Sequence, residues 1–343
     1  MSFVKYQHYL PRKHMSWFSY EDGKTSRWIL ADGRFEDCFN LENHGGQKHL
    51  YESDQMPRNH IETNILNPIE NAFYEARDRT LRHKQVRSAS DRAKIKQYAV
   101  AQFLRQQHLH KRISHLDDDL RLLAKEMGVE KIWGVDECPQ SERRKRSSAV
   151  LADVLLNVED HAKALKKHSV IFVSRPESDL LLPDSGVVVD YGGIDGPPKF
   201  GGLLSRDFSL WLPISPNSAI KIVRTKKFKP SQVMCGNQYE YFLQNLCLNA
   251  SKFVIGHRNP LFEADLQNRS CFDPVAARCS MILQLYRVGV FDEMIFSFWK
   301  NFCSDIPQEF VRAWFYREKF IPSMNKLFNP DGRADADKLF FPL

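Results

Sequence analysis

The spacing of apolar positions changes character twice along the chain. From His60, Ile61, Ile65, Ile69, Phe73 and Ala76 recur three to four residues apart, the spacing of one buried helix face. Pro68 sits inside that run and predicts a kink or a boundary. Arg92–His110 predicts a second helix, with Ile95, Ala99 and Phe103 on one face, and Leu116–Met127 a third, ended by Gly128. Gln140–Ser148 reads as a polar basic loop, and Val150–Leu165 as helix again.

Either side of this block the texture is that of strands. In the first fifty residues, Trp28-Ile29-Leu30 and Phe35 flank a turn, and Glu21-Asp22-Gly23 marks an earlier one. After His168 come short β-branched or aromatic runs bounded by Gly and Pro: Val170–Val173, Val187–Val189, Phe208–Leu212 and Ala219–Val223. A helix over Gln232–Ala250 and a strand over Lys252–Ile255 follow. Beyond Arg258 the pattern is helical and aromatic, over Pro274–Val288, Phe291–Cys303 and Pro307–Phe320.

The expected class is therefore α+β and helix-rich. It has a small N-terminal meander, a mixed or antiparallel central sheet and an all-helical C-terminal segment. Two units are expected: residues 1–258, and an aromatic segment 259–343 that packs on the first or on a partner. That segment carries more apolar surface than three short helices hide among themselves, so a second copy of the chain or another protein is one expected partner.

Composition excludes several classes. With 43% hydrophobic and 27% charged residues in 343, the chain is an ordinary globular protein and long enough for a sizeable core. No uncharged apolar run is long enough to span a bilayer, and Met1–His14 has no apolar core of a secretory signal, so a cytoplasmic protein without a membrane partner is expected. Seven scattered cysteines with no Cys-x-x-Cys pair predict reduced, mostly buried thiols. No Walker A, kinase or Gly-x-Ser-x-Gly signature is present.

Charge changes the picture more. The net charge is +7, yet between Ala76 and Arg112 eleven Lys or Arg stand against two Asp. The excess lies in Arg77, Arg79, Arg82, Lys84, Arg87, Arg92, Lys94 and Lys96, with a second run at Arg143–Arg146. Such a stripe suits phosphate binding with strong salt dependence, or is simply a solvated helix face.

Six short motifs fall in a telling order. His8-Tyr9-Leu10-Pro11-Arg12 opens the chain, with Trp17-Phe18 after it. Glu62 and Ile69-Glu70 follow on one helix, and Gln102 and Arg105 on the next. Then come Leu182-Pro183-Asp184-Ser185-Gly186-Val187, Leu212-Pro213-Ile214-Ser215-Pro216, and Asn245 with Ala250. Over residues 6–258 this resembles the bacterial domain of unknown function 4238. Its members begin His-Tyr-Val-Pro-Gln, carry two spaced glutamates and a Gln-x-x-Arg helix, and continue through Thr-Ser-Asp-Asn-Pro-Val and Pro-Leu-Ser-Pro. Here Arg12 replaces the usual Gln, Pro183 the usual Ser and Gly186 the usual Pro.

The resemblance implies a candidate site at His8, Glu70, Arg105, Asp184 and Asn245, without an activity. Those residue types suit phosphodiester chemistry. An imidazole moves protons, a carboxylate orients it or holds a hard cation such as magnesium or manganese, and a guanidinium clamps non-bridging oxygens. The expected function is a nuclease-like, nucleic-acid-directed phosphodiester hydrolase of a bacterial cytosolic system, related to defence or toxin action. The alternative is a non-enzymatic nucleic-acid- or protein-binding module, a sensor or partner subunit, in which the same residues form a structural polar network.

Overall fold

Helices form where the three-to-four spacing runs and strands where β-branched residues cluster, and the class is α+β. The computed structural model describes residues 6–20, 24–29, 34–41, 44–48, 50–51, 56–106, 140–176, 180–190, 203, 208–225, 229–250 and 252–256. The helix expected over 116–127 and the whole of 259–343 lie outside the described residues.

The helical block opens with a π-helix over Ile61–Leu66 that runs directly into α2, Asn67–His83. Pro68 falls in the first turn of α2, directly after the π-helix, so the boundary expected at the proline is where the helix type changes. α2 ends at Lys84, which takes a left-handed φ of 50°. α3, Ala89–Leu104, starts where the Ser88 hydroxyl accepts the Asp91 N–H at 2.8 Å. The two helices pack together through Phe73 and Tyr98, whose rings stack at 3.8 Å.

Several boundaries differ from the sequence reading, that of α3 among them: expected over Arg92–His110, it spans Ala89–Leu104. Residues expected as a loop form the start of α4, Gln140–Leu156, because Glu, Arg and Lys are good helix formers whatever their polarity. Its Leu151, Ala152 and Leu155 are buried. A short helix, α5 (Val158–Lys163), and one tighter turn, Ala164–Lys167, follow. The helix expected from Gln232 begins four residues later, since Ser231–Val233 is a strand.

β1 (Tyr6–His8) pairs antiparallel with β4 (Gly46–Lys48), and α1 (Arg12–Ser16) lies between them in sequence. β2 (Lys24–Ile29), β3 (Arg34–Asn40), β6 (Leu182–Pro183) and β11 (Phe253–Gly256) form an antiparallel sheet in the order β3-β2-β11-β6. The central sheet has the order β10-β5-β9-β8-β7, from β5 (Ser169–Ser174), β7 (Val188–Val189), β8 (Ser209–Ser215), β9 (Ser218–Val223) and β10 (Ser231–Val233). It is mixed: β10 runs parallel to β5, while the other pairings are antiparallel. Pro216-Asn217 turns the β8–β9 hairpin, and the Asn217 side chain accepts from the hydroxyls of Ser215 and Ser218. α6 spans Gly236–Asn249.

One buried histidine ties the N-terminal segment to α3 and to β8. His14 Nδ1 accepts from the Tyr98 hydroxyl at 2.8 Å, and its Nε2–H donates to the Pro213 carbonyl at 2.7 Å. A carbonyl only accepts, so this pair of bonds selects the neutral Nε2–H tautomer. Burial, opposed in part by the Pro213 bond, lowers its pKa to about 3. Cys235 is free and exposed.

Candidate functional site

Eight residues separate Glu62 from Glu70, which on a regular α-helix leaves the side chains about 80° apart. The wider turns of the π-helix close that offset, and both carboxylates act on one guanidinium, that of Arg105. Arg105 caps the C-terminal end of α3 and its side chain is fully buried. Its Nη1 donates to Glu70 Oε1 at 2.7 Å and its Nε donates to Gln102 Oε1. Gln102 Nε2 reaches the Tyr9 carbonyl, and the Tyr74 hydroxyl donates to the other Glu70 oxygen at 3.0 Å. The guanidinium is thus oriented from two sides.

Two atoms of this cluster remain unsatisfied. Arg105 Nη2 and Glu62 Oε2 are buried with no hydrogen-bond partner among the described residues. Burial, opposed by Arg105 and reinforced by Glu70, pushes the Glu62 carboxyl up to about 7. Burial alone would lower the pKa of Arg105, but Glu70 and the tyrosines 51 and 98 raise it above the ordinary arginine value. The neighbouring Gln106 is also buried, and neither its amide nitrogen nor its oxygen is paired among the described residues.

His8 reaches the same cluster from the end of β1. Burial first, then the charges of Arg12 and Arg105, bring its imidazole down to about 4. Its Nε2 accepts from Arg12 Nε at 3.2 Å, so the ring is neutral at pH 7 with its proton on Nδ1. Tyr51 closes this side, its hydroxyl donating to the His8 carbonyl at 3.2 Å. The structure therefore brings His8, Glu70 and Arg105 together and adds Glu62, Gln102, Tyr51 and Tyr74.

The described hydrogen bonds of Asp184 and Asn245 go elsewhere. Asp184 Oδ2 accepts the Lys252 N–H at 2.9 Å, holding the β6–β11 corner. Asn245 donates to the Tyr241 carbonyl one turn back on α6, and Asn249 stitches that helix to both backbone groups of Val189. The link from the Asp184 turn to the cluster runs through Gly186, whose φ is +73°. A Cβ there would lie 2.1 Å from Gln102 Nε2.

A family model described as "Protein of unknown function (DUF4238)" matches residues 6–260. The chain belongs to this family. No curated protein and no solved structure matches it. The matched span contains every residue of the Arg105 cluster in this DUF4238 chain. Among its described residues no three His, Cys, Asp or Glu side chains are grouped to hold a metal, and no helix is long and apolar enough to cross a membrane.

The basic stripe is not one surface. Arg77 lies over the Trp17 ring at 3.7 Å and donates to the Ile214 carbonyl, so it packs rather than faces solvent. Arg79 is paired with Asp91 at 2.7 Å, and Lys94 with Glu75 at 3.8 Å. Arg82, Lys84 and Arg87 are exposed, while Arg92 and Lys96 are half-buried. The side chains of Arg143–Arg146 lie outside the described residues.

Proposed function

We propose that this protein is a phosphodiester hydrolase acting on nucleic acid, with its reaction centre at the Arg105 cluster. One observation carries the reading: a guanidinium N–H and a carboxyl oxygen lie unsatisfied within one buried cluster. An unmade hydrogen bond of a buried charged group is costly, and a phosphoryl group would complete both. Arg105 Nη2 donates to a non-bridging oxygen as charge develops there, while Glu70 and Gln102 hold the fork in orientation. A water attacks the phosphorus as the bond to the leaving oxygen breaks; Glu62, poised near neutrality, gives its proton to that oxygen and regains one from the attacking water. Proton transfer, expected of His8 from the sequence, suits Glu62 better, because an imidazole brought down to about 4 is a weak base. His8 then serves as a neutral, polar wall.

The other reading is a structural network in a binding module. It is favoured by the complete burial of Arg105 and by the internal bonds already made by its Nε and Nη1. The purified full chain, incubated with end-labelled RNA and DNA with and without magnesium or manganese, separates the two. The hydrolase reading expects cleavage that falls by about 10²-fold or more in Glu62→Gln, with far-UV circular dichroism unchanged. A wild-type protein that cuts none of these substrates refutes it.

A further inference from the structure

Cations of α3 face those of α5 and the turn after it across a groove of about 380 Å³. Arg92 and Lys96 supply one wall, Lys163 and Lys166 the other. Among the described residues Arg92, Lys96 and Lys166 make no ion pair, in contrast to Arg79 and Lys94 one face away. Arg92 and Lys96 instead lean on backbone carbonyls, those of Arg87 and Lys166. Lys163 pairs with Asp160, but both side chains are largely exposed, so that contact yields readily to a competing anion. The one carboxylate in the lining, Glu159, is engaged by the Gln97 amide at 3.1 Å.

We infer that this groove is a docking track for the phosphate backbone of a nucleic acid. Each wall presents its cations three or four residues apart, about 5–6 Å along a helix, a span covered by roughly two phosphates of one strand. Three alanines line the rest, so the groove holds neither an aromatic platform for stacking a base nor an apolar pocket for a protein hot spot. Binding is therefore by charge and independent of sequence. Burial and the nearby Arg92 already lower the pKa of Lys96, the response of a cation crowded by a like charge and relieved by an anion.

The groove is separate from the Arg105 cluster. Lys96 and Arg105 are nine residues apart, about half a turn out of phase around α3, so the two sites occupy opposite faces of that helix. The inference does not rest on the hydrolase reading.

Fluorescence anisotropy of a labelled 20-nucleotide single strand and its duplex, titrated with the full chain at several salt concentrations, tests it. Four phosphate contacts predict a slope of log K against log salt of roughly −3. Lys163→Glu/Lys166→Glu, at two exposed positions, is expected to weaken binding more than tenfold and to halve that slope. Arg92→Glu is expected to weaken it as well. Arg82→Glu/Arg87→Glu, exposed but outside the groove, is expected to stay within about threefold of wild type. Equal losses in the two double variants overturn the proposal, as does a flat salt dependence. It is also overturned if polyglutamate binds as tightly as the oligonucleotides. Binding without cleavage removes the hydrolase and leaves the groove, whereas cleavage with binding indifferent to the groove variants does the reverse.

Discussion

Replacing Glu62 by Gln keeps the shape of the side chain and removes its titration, so it isolates the electrostatics of the cluster. In the folded chain the carboxyl is pushed up to about 7 from the ordinary 4.5, by burial and by Glu70, against the pull of Arg105. A raised carboxyl pKa means that the folded state prefers the protonated acid. Its contribution to stability is fully present below pH 4.5 and is lost as pH rises through 7. At pH 8.5 the wild type holds a charged carboxylate in a site that disfavours it. At about 1.4 kcal/mol per pH unit, that penalty is roughly 3 kcal/mol. The amide escapes it. Urea unfolding of both proteins from pH 4 to pH 9 reads the difference directly, since every other titrating group cancels in the comparison. The two are expected to match within about 1 kcal/mol at pH 4, and Glu62→Gln to be the more stable by about 2–3 kcal/mol at pH 8.5. A gap that does not change with pH, or a less stable variant at high pH, refutes the reasoning. A stabilising substitution of this size is the mark of a residue kept for something other than stability.

Two further expectations follow from the same core. Arg105→Met removes the cation that Glu70 pairs with, and is expected to cost about 3–5 kcal/mol by urea unfolding, with the double variant Arg105→Met/Glu70→Gln recovering part of the loss. A double-mutant cycle with no coupling refutes the pairing. His14 is brought down to about 3, so the unfolded chain binds a proton that the folded chain refuses between pH 6.5 and 3, and stability falls on acidification through that window. About 2 kcal/mol of the loss between pH 7 and pH 5 is assigned to His14, and it disappears in His14→Gln, itself less stable at pH 7.

How much of this was legible in the sequence depended on which interactions set each feature. Val170–Val173 reads as a strand because a continuous β-branched run has few alternatives, and it is a buried strand of the central sheet. The ends of elements were less legible. Residues 140–147 are polar and charged, and polarity alone does not separate an exposed helix from a loop. Residues 231–233 become a strand through parallel pairing to Phe172–Ser174, a contact made about sixty residues away in the chain. The π-helix left no mark in the spacing of Ile61 and Ile65, which fits either helix type.

The candidate site shows the same division. The family resemblance pointed to His8, Glu70 and Arg105, and their convergence needed only that β1, α2 and α3 meet at one corner. Type does not reveal where a polar atom bonds: Asp184 accepts the Lys252 N–H just before β11, and Asn245 donates to a carbonyl of α6. Glu62 reverses that case, since its significance lies in an oxygen that finds no partner among the described residues. The departure at Gly186 is explained only by the folded chain. A φ of +73° is closed to the proline usual at this point in the family, whose ring holds φ near −65°, and a side chain there would collide with Gln102. Gln102 in turn holds the Nε of Arg105. The turn that carries Asp184 therefore acts on the cluster through the one residue in it that has no side chain, by letting the backbone come close enough to seat the amide that aims the guanidinium.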